Sequence, residues 1–121
     1  MKLITIVNRT KGAVVATRIS VADTFLTRLV GLLGRKRLDA DCGLLIQPSS
    51  GVHTFGMRFP IDVVALDRQL RVRAIWQNLR PWRTSDVSWK THAVLELPAG
   101  HIQHNALEAG DQLEVVEHSS L

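Results

Sequence analysis

Residues 61–76 read IDVVALDRQLRVRAIW and predict two β-strands joined by a tight connection. The first six residues form a short and almost uninterrupted apolar run, which is typical of a strand buried on both faces. Asp, Arg and Gln follow at positions 67–69 and suit a hairpin connection. Apolar and basic residues then alternate from 70 to 76, the pattern of a half-buried strand. This segment therefore predicts a β-rich fold.

Similar patterns on both sides of this segment predict further strands. They are expected at 3–8, 13–19, 43–47, 52–58, 93–97 and 113–117. Ser20 and Asp23 resemble a capping box, and apolar residues at helical spacing follow them, so one flanking helix is predicted near residues 21–33. A short helix is expected within 101–107. The predicted fold class is mainly β (β-rich α+β): a compact antiparallel sandwich or distorted barrel, jelly-roll-like, with the longer helix on its flank.

The length and the charge narrow the kind of protein. A chain of 121 residues with 45% hydrophobic residues predicts a single domain over 1–121 with a true core. The net charge of +4 favours weak attraction to polyanions. A solvated basic surface is the simpler interpretation. Trp76, Trp82 and Trp89 nevertheless lie near Arg73, Arg80 and Arg83, which keeps a nucleic-acid surface open. Two of these tryptophans belong to the loop-like region 79–91.

The same sequence predicts a soluble cytoplasmic protein. Cys42 is the single cysteine and opens an apolar run, so we expect a buried thiol in a reducing compartment. No apolar run approaches the roughly 18 residues that span a membrane, and no membrane insertion is expected. The first residues are too short and too alternating for a signal peptide.

A polar group of candidate site residues lies in the stretch HTFGMRFPID at 53–62. Such side chains beside an apolar run must find partners or cost free energy. If the stretch is extended, Met57 lies on one face, and Arg58 and Asp62 lie on the other. Glu96 sits within an apolar run and is expected to need a partner. We therefore hypothesise that Arg58 pairs with Glu96, Asp62 or both, as a ligand site or as a structural lock.

The chemistry of His53 stays open at this level. It would share a face with Arg58 only if the chain bulges near Gly56. A triad of Ser49 or Ser50 with His53 and Asp62 lacks the sequence of a nucleophile elbow. The histidines and the lone cysteine do not have the spacing of a metal site, and no glycine-rich phosphate loop occurs, so no metal and no cofactor are predicted.

Four blocks of the sequence, taken in order, resemble the domain-of-unknown-function-192 family of bacteria and archaea. They are RLVGLLG at 28–34, GLLI at 43–46, HTFGMRFPIDV at 53–63 with LD at 66–67, and VLELPAG at 94–100 followed by GD at 110–111. The resemblance covers a family-like core of about 24–116 and implies a small jelly-roll-like β domain. Members often carry a Trp-Met-Lys-Asn type segment where this chain has Phe55-Gly56-Met57-Arg58. The family implies no established reaction.

Three functions follow from these observations. The first is a ligand-binding or accessory domain for an unknown small molecule or protein partner. The second is a small hydrolase-like enzyme with His53 as base, although the sequence leaves enzymatic activity uncertain. The third is a nucleic-acid or protein interaction module that uses the basic face. The ligand-binding candidates are His53, Thr54, Met57, Arg58, Asp62 and Glu96.

Overall fold

The protein is described by a computed structural model over residues 2–24, 27–28, 31–32 and 34–117. Its strands are β1 (Leu3–Asn8), β2 (Ala13–Ala22), β3 (Cys42–Ile46), β4 (Ile61–Leu66), β5 (Val72–Leu79), β6 (Ala93–Pro98) and β7 (Leu113–Glu117). A short helix, α1 (His101–His104), lies between β6 and β7. The predicted mainly β fold is confirmed. Within the described ranges, no helix is both long enough and apolar enough to cross a membrane.

The strands form one sheet in the order β5-β4-β6-β3-β2-β1-β7. The pairs are antiparallel except β2 with β3, which is parallel. The two edges of the sheet meet at one end, where the N–H of Val72 donates to the carbonyl of Asp111 (2.8 Å) and the N–H of Leu113 donates to that of Leu70 (3.0 Å). The sheet therefore curls into a partly closed barrel.

This curl separates two apolar layers. The inner cluster lies within the curl and joins strands from both edges; its members include Ile4, Ile6, Ile19, Leu45, Val64, Leu66, Leu95, Leu97, Ile102 and Leu113. The outer cluster covers the other face of β3, β4 and β6; its buried members are Ala22, Leu32, Leu44, Ile46, Met57, Ile61, Val63 and Val94. Loops, rather than a second sheet, lie over this outer face.

The register assigns the two buried acids to opposite faces. Glu96 is paired with Leu44 on β3 and with Val63 on β4, so its side chain shares the outer face with theirs. Asp62 is paired with Leu97, which belongs to the inner cluster. Because side chains at paired positions point to the same side of a sheet, Asp62 and Glu96 are kept apart by the sheet itself.

The flanking helix begins later than the predicted position 21. Residues 21 and 22 belong to β2, and the N–H of Thr27 donates to Thr24 Oγ1 (3.1 Å), as at a helix N-terminus. The N–H groups of Arg28 and Gly31 donate to the carbonyls four residues earlier, at 2.9 and 3.0 Å. Most of the apolar residues behind this prediction lie outside the described residues: Phe25, Leu26, Leu29 and Leu33.

The predicted strand at 52–58 is wrong. Only His53 forms a bridge there, with Thr84, and the N–H of Met57 donates to the carbonyl of Thr54 (3.1 Å) to close a turn. Gly56 takes φ +80°, which its lack of a Cβ permits at the third position of such a turn. The candidate site was predicted on the assumption that alternate side chains of an extended chain lie on opposite faces. The turn at 54–57 removes that alternation.

Candidate functional site

A cavity of about 650 Å³ lies over the outer face of the sheet, beneath the loops. Glu96, His53 and Met57 line it, and so do residues 48–52, which follow β3. The structure therefore brings three of the six candidate residues to one cavity. Thr54, Arg58 and Asp62 do not line it.

Glu96 is the buried charged group of this cavity. It projects from the middle of β6 and is only 4% exposed. Its Oε2 atom is buried and has no hydrogen-bond partner among the residues that the structure describes. Burial raises the pKa of the Glu96 carboxyl from 4.5 to about 7. A buried polar atom without a partner costs about 1–3 kcal/mol, so this carboxyl is poised to accept one.

The backbone around Glu96 is closely packed. A Cβ added at Gly43 of β3 would lie 2.9 Å from the Glu96 carbonyl oxygen and 3.2 Å from the Leu97 side chain. Glycine at this position lets β3 and β6 approach. The acid is therefore held on a rigid central strand, which is the usual support for a precise binding group.

Asp62 serves the other face of the sheet as a structural anchor. Its Oδ1 accepts the N–H of Asn78 (2.8 Å), and its Oδ2 accepts those of Gly100 (3.1 Å) and Ile102 (2.9 Å). These bonds tie β4 to the end of β5 and to the start of α1. The carboxylate is fully buried and engaged with backbone donors, so it stabilises the fold through the main chain and not through the predicted pair with Arg58.

The expected pairing of Arg58 is not found. Arg58 is exposed, and among the described residues it forms no ion pair with Asp62 or Glu96. The turn at 54–57 directs the chain away from extended geometry, and the sheet separates the two acids. The residue therefore faces solvent beside the loop instead of entering the cavity.

Thr54 is also structural in its contacts. It is fully buried, and its hydroxyl donates to the carbonyl of Arg80 (2.6 Å) while it accepts the N–H of Arg83 (2.9 Å). Its own N–H and carbonyl bond to Arg83 and Trp82. Thr54 thus fastens the turn at 54–57 to the loop at 80–83.

His53 and Met57 reach the cavity from that fastened turn. Met57 is buried in the outer cluster, whereas His53 is exposed and its Nδ1 accepts the N–H of Phe55 (3.2 Å). The Ser–His–Asp alternative does not assemble, because Asp62 lies on the opposite face of the sheet. Ser49 Oγ donates instead to the carbonyl of Gly51 (2.8 Å).

Sequence reasoning missed several residues of the cavity. Arg28, Arg68, Trp89 and His92 line it from three separate parts of the chain. Arg28 donates to the carbonyl of Pro48 (3.2 Å) and so joins the helical turn to the loop below it. The only sequence feature that pointed towards these residues was the length of the loop-like region 79–91. Nothing in the sequence indicates that the β4–β5 hairpin contributes Arg68.

The described residues contain no group of three or more His, Cys, Asp or Glu side chains that could hold a metal ion. His53 and His92 both line the cavity with Glu96, but they do not form such a group. The polar side chains that line the cavity comprise one carboxyl, two imidazoles, two guanidinium groups and the hydroxyls of Ser49, Ser50 and Thr91, in a partly apolar lining.

Two solved structures resemble the fold over most of both chains. A putative transcription regulator from Sinorhizobium meliloti aligns with a TM-score of 0.79 and 23% identity, covering 94% of this chain and 92% of that chain. A protein of unknown function from Novosphingobium aromaticivorans aligns with a TM-score of 0.77 and 22% identity, covering 93% and 83%. At this identity the likeness concerns the fold alone.

Sequence comparison is more direct. The UPF0127 protein of Thermococcus sibiricus is 32% identical over 114 residues, covering 90% of this chain and 73% of the relative. The UPF0127 protein of Pyrococcus furiosus is 33% identical over 110 residues, covering 88% and 94%. The family described as "Uncharacterized ACR", DUF192, matches residues 6–115. The predicted resemblance is confirmed, and the chain belongs to the DUF192 family.

Proposed function

We propose that this protein is a ligand-binding domain that takes a small polar molecule into the cavity above β3, β4 and β6. The observation that carries the proposal is Glu96 Oε2, which is buried, has no partner among the described residues and belongs to a side chain that lines the cavity. Buried polar atoms in native proteins nearly always have a hydrogen-bond partner, and an exception calls for an explanation. A ligand that donates a hydrogen bond to Glu96 supplies that partner.

The size and lining of the cavity support this function. A volume of about 650 Å³ falls within the range of small-molecule sites. Leu32, Ile46 and Met57 supply apolar surface to this cavity, while Glu96 and His53 supply polar groups. A few convergent polar groups in an apolar lining are typical of a site that orients its ligand.

The ionisation state of the Glu96 carboxyl determines which ligand group it binds. Since its pKa is about 7, the carboxyl is partly ionised at neutral pH. A hydroxyl or amino group of the ligand donates to the ionised form and stabilises it, so binding lowers the pKa of Glu96. Affinity should then rise as the pH increases from 6 to 8, by up to about tenfold per unit below the pKa.

The six candidate residues take different roles in this proposal. His53, Met57 and Glu96 contact the ligand. Thr54 and Asp62 hold the turn and the sheet beneath them through their backbone partners. Arg58 lies on the outer side of the turn and is assigned no contact in the cavity.

The proposal also includes the domain organisation and the cellular location of the protein. We expect residues 1–121 to form one domain, because the inner cluster joins β1 to β7. We place the protein in the cytoplasm, where the free thiol of Cys42 needs no partner. Fractionation of cells that express the tagged full-length chain tests this location.

A fragment screen observed by protein NMR tests the binding function. Small amines and polyols at pH 8 should shift the amide resonances of residues 49–53 and 91–96, next to the cavity. Glu96→Gln should weaken these ligands by about tenfold or more, because a carboxylate hydrogen bond is worth about 1.5–3 kcal/mol. Glu108→Gln removes an exposed carboxylate and is the matched control.

Two results would contradict the proposal. One is a screen in which no compound of either class shifts the cavity resonances. The other is a set of ligands that bind wild-type protein and Glu96→Gln equally, with no dependence on pH. The second result would show that Glu96 is a structural acid beside an unrelated binding surface.

A further inference from the structure

Three aromatic rings stack on the surface next to the cavity. The ring of His53 lies 5.2 Å from that of Phe55, which in turn lies 5.9 Å from that of Trp82, with interplanar angles of 29° for both pairs. Phe55 is 45% exposed and Trp82 is 65% exposed. Rings that stack on each other without being buried leave their outer faces and edges available to a partner.

The backbone beneath these rings is fixed. Thr54 is fully buried between the two loops, and its hydroxyl and backbone bond to Arg80, Trp82 and Arg83. Trp82 takes φ +65°, a conformation that bulky residues rarely adopt and that typically costs about 1–3 kcal/mol. Its surroundings therefore hold the backbone of Trp82 in this conformation, with its N–H bonded to the carbonyl of Thr54 (3.1 Å).

Three exposed arginines belong to the same two loops as the stacked rings. Arg58, Arg80 and Arg83 are exposed, and none of them takes part in an ion pair with another described residue. Arg83 Nη1 donates to the carbonyl of Trp82 (3.4 Å), so its guanidinium lies beside the backbone that carries the Trp82 ring. Asp86, the acid of the same loop, is bound by Arg73 Nη2 at 2.8 Å. The surface is therefore both aromatic and positively charged.

We propose that this aromatic surface, formed by the rings of His53, Phe55 and Trp82 with Arg58, Arg80 and Arg83, binds single-stranded nucleic acid. Bases stack on exposed aromatic rings whatever their sequence, and arginines beside the rings take the phosphates. Both kinds of group occur here in one place. A peptide partner would use the apolar rings but would leave the three cations without a matching anionic backbone.

The surface is separate from the carboxyl of Glu96. Of the six residues of the aromatic surface, only His53 lines the cavity with Glu96. Binding of nucleic acid and binding of a small ligand therefore involve different residues, apart from His53. Each function can fail without the other.

Binding of a fluorescent oligo(dT) of about twelve nucleotides, measured by anisotropy on the full chain, tests the inference. We expect a dissociation constant that rises steeply with salt and a loss of about fivefold to a hundredfold in Trp82→Ala and in Phe55→Ala. Trp89→Ala removes an indole that is 89% exposed outside the stack and should change affinity little. Trp82→Phe should restore most of the binding. Glu96→Gln should leave it unchanged.

The charge component has its own test. Arg80→Gln and Arg83→Gln should each reduce the slope of log affinity against log salt by about 0.7 if the side chain contacts one phosphate. No binding at about 50 mM salt and 100 µM protein would overturn the inference. So would equal losses in Trp82→Ala and Trp89→Ala, or equal binding of an acidic peptide such as oligoglutamate. Thermal unfolding of each variant identifies any loss that arises from misfolding.

Discussion

Glu96→Gln should stabilise the protein at alkaline pH and much less at acidic pH. Burial raises the pKa of the Glu96 carboxyl to about 7 in the folded chain, against 4.5 when the residue is exposed. The folded state therefore binds more protons than the unfolded state between these two values. Stability must fall as the pH rises through this window, since unfolding then releases a proton.

The size of the effect follows from the two pKa values. Each pKa unit corresponds to about 1.4 kcal/mol, so ionisation of Glu96 should cost wild-type protein about 3 kcal/mol of stability between pH 4.5 and 7. Glutamine has nearly the same shape and does not ionise. The difference in unfolding free energy between Glu96→Gln and wild type should therefore rise by about 3 kcal/mol from pH 4.5 to pH 8. This is a large part of the 5–15 kcal/mol that holds a typical domain together.

Urea unfolding followed by circular dichroism at pH 4.5, 6 and 8 measures this difference. A change of about 3 kcal/mol moves the urea midpoint by about 1–3 M. Glu108→Gln, measured in parallel, accounts for the loss of one negative charge from the surface. A difference between Glu96→Gln and wild type that stays the same from pH 4.5 to pH 8 would refute the reasoning. It would mean that Glu96 ionises as readily in the folded chain as in the unfolded one.

The other expectations concern the support of the site. Asp62→Ala leaves three backbone donors without a partner and should destabilise the fold by about 3 kcal/mol or more in urea unfolding, and an unchanged midpoint would contradict its role as an anchor. Thr54→Val should cost about 1–3 kcal/mol and change the near-ultraviolet circular dichroism of Trp82; if the spectrum is preserved, Thr54 does not position that ring. Gly51→Ala places a Cβ 2.4 Å from the carbonyl oxygen of Asp86 and should lower the unfolding midpoint, with Ser50→Ala as the tolerated neighbour.

Sequence patterns predicted the strands well where packing follows a simple rule. The run at 61–66 was expected as a strand and is β4, and the expected strand at 113–117 is β7. A short run of apolar residues must be buried to avoid water, and a segment of five or six residues is more often a strand than a helix. The stretch at 52–58 lacked this constraint, because its polar and apolar residues are compatible with both a strand and a turn. The hydrogen bonds of Thr54 to the loop at 80–83 decided in favour of the turn.

In the candidate site, too, the sequence determined some features and the tertiary structure decided others. The sequence by itself determined that Glu96 and Asp62 would be buried among apolar neighbours, because each is embedded in a strand that the core requires. It did not determine their partners. Only the tertiary structure decided that the two acids lie on opposite faces, since the register of β4 against β6 pairs Asp62 with Leu97 and Val63 with Glu96. A shift of one residue in that register would exchange the faces of a strand, and local sequence does not encode which neighbour a strand will meet.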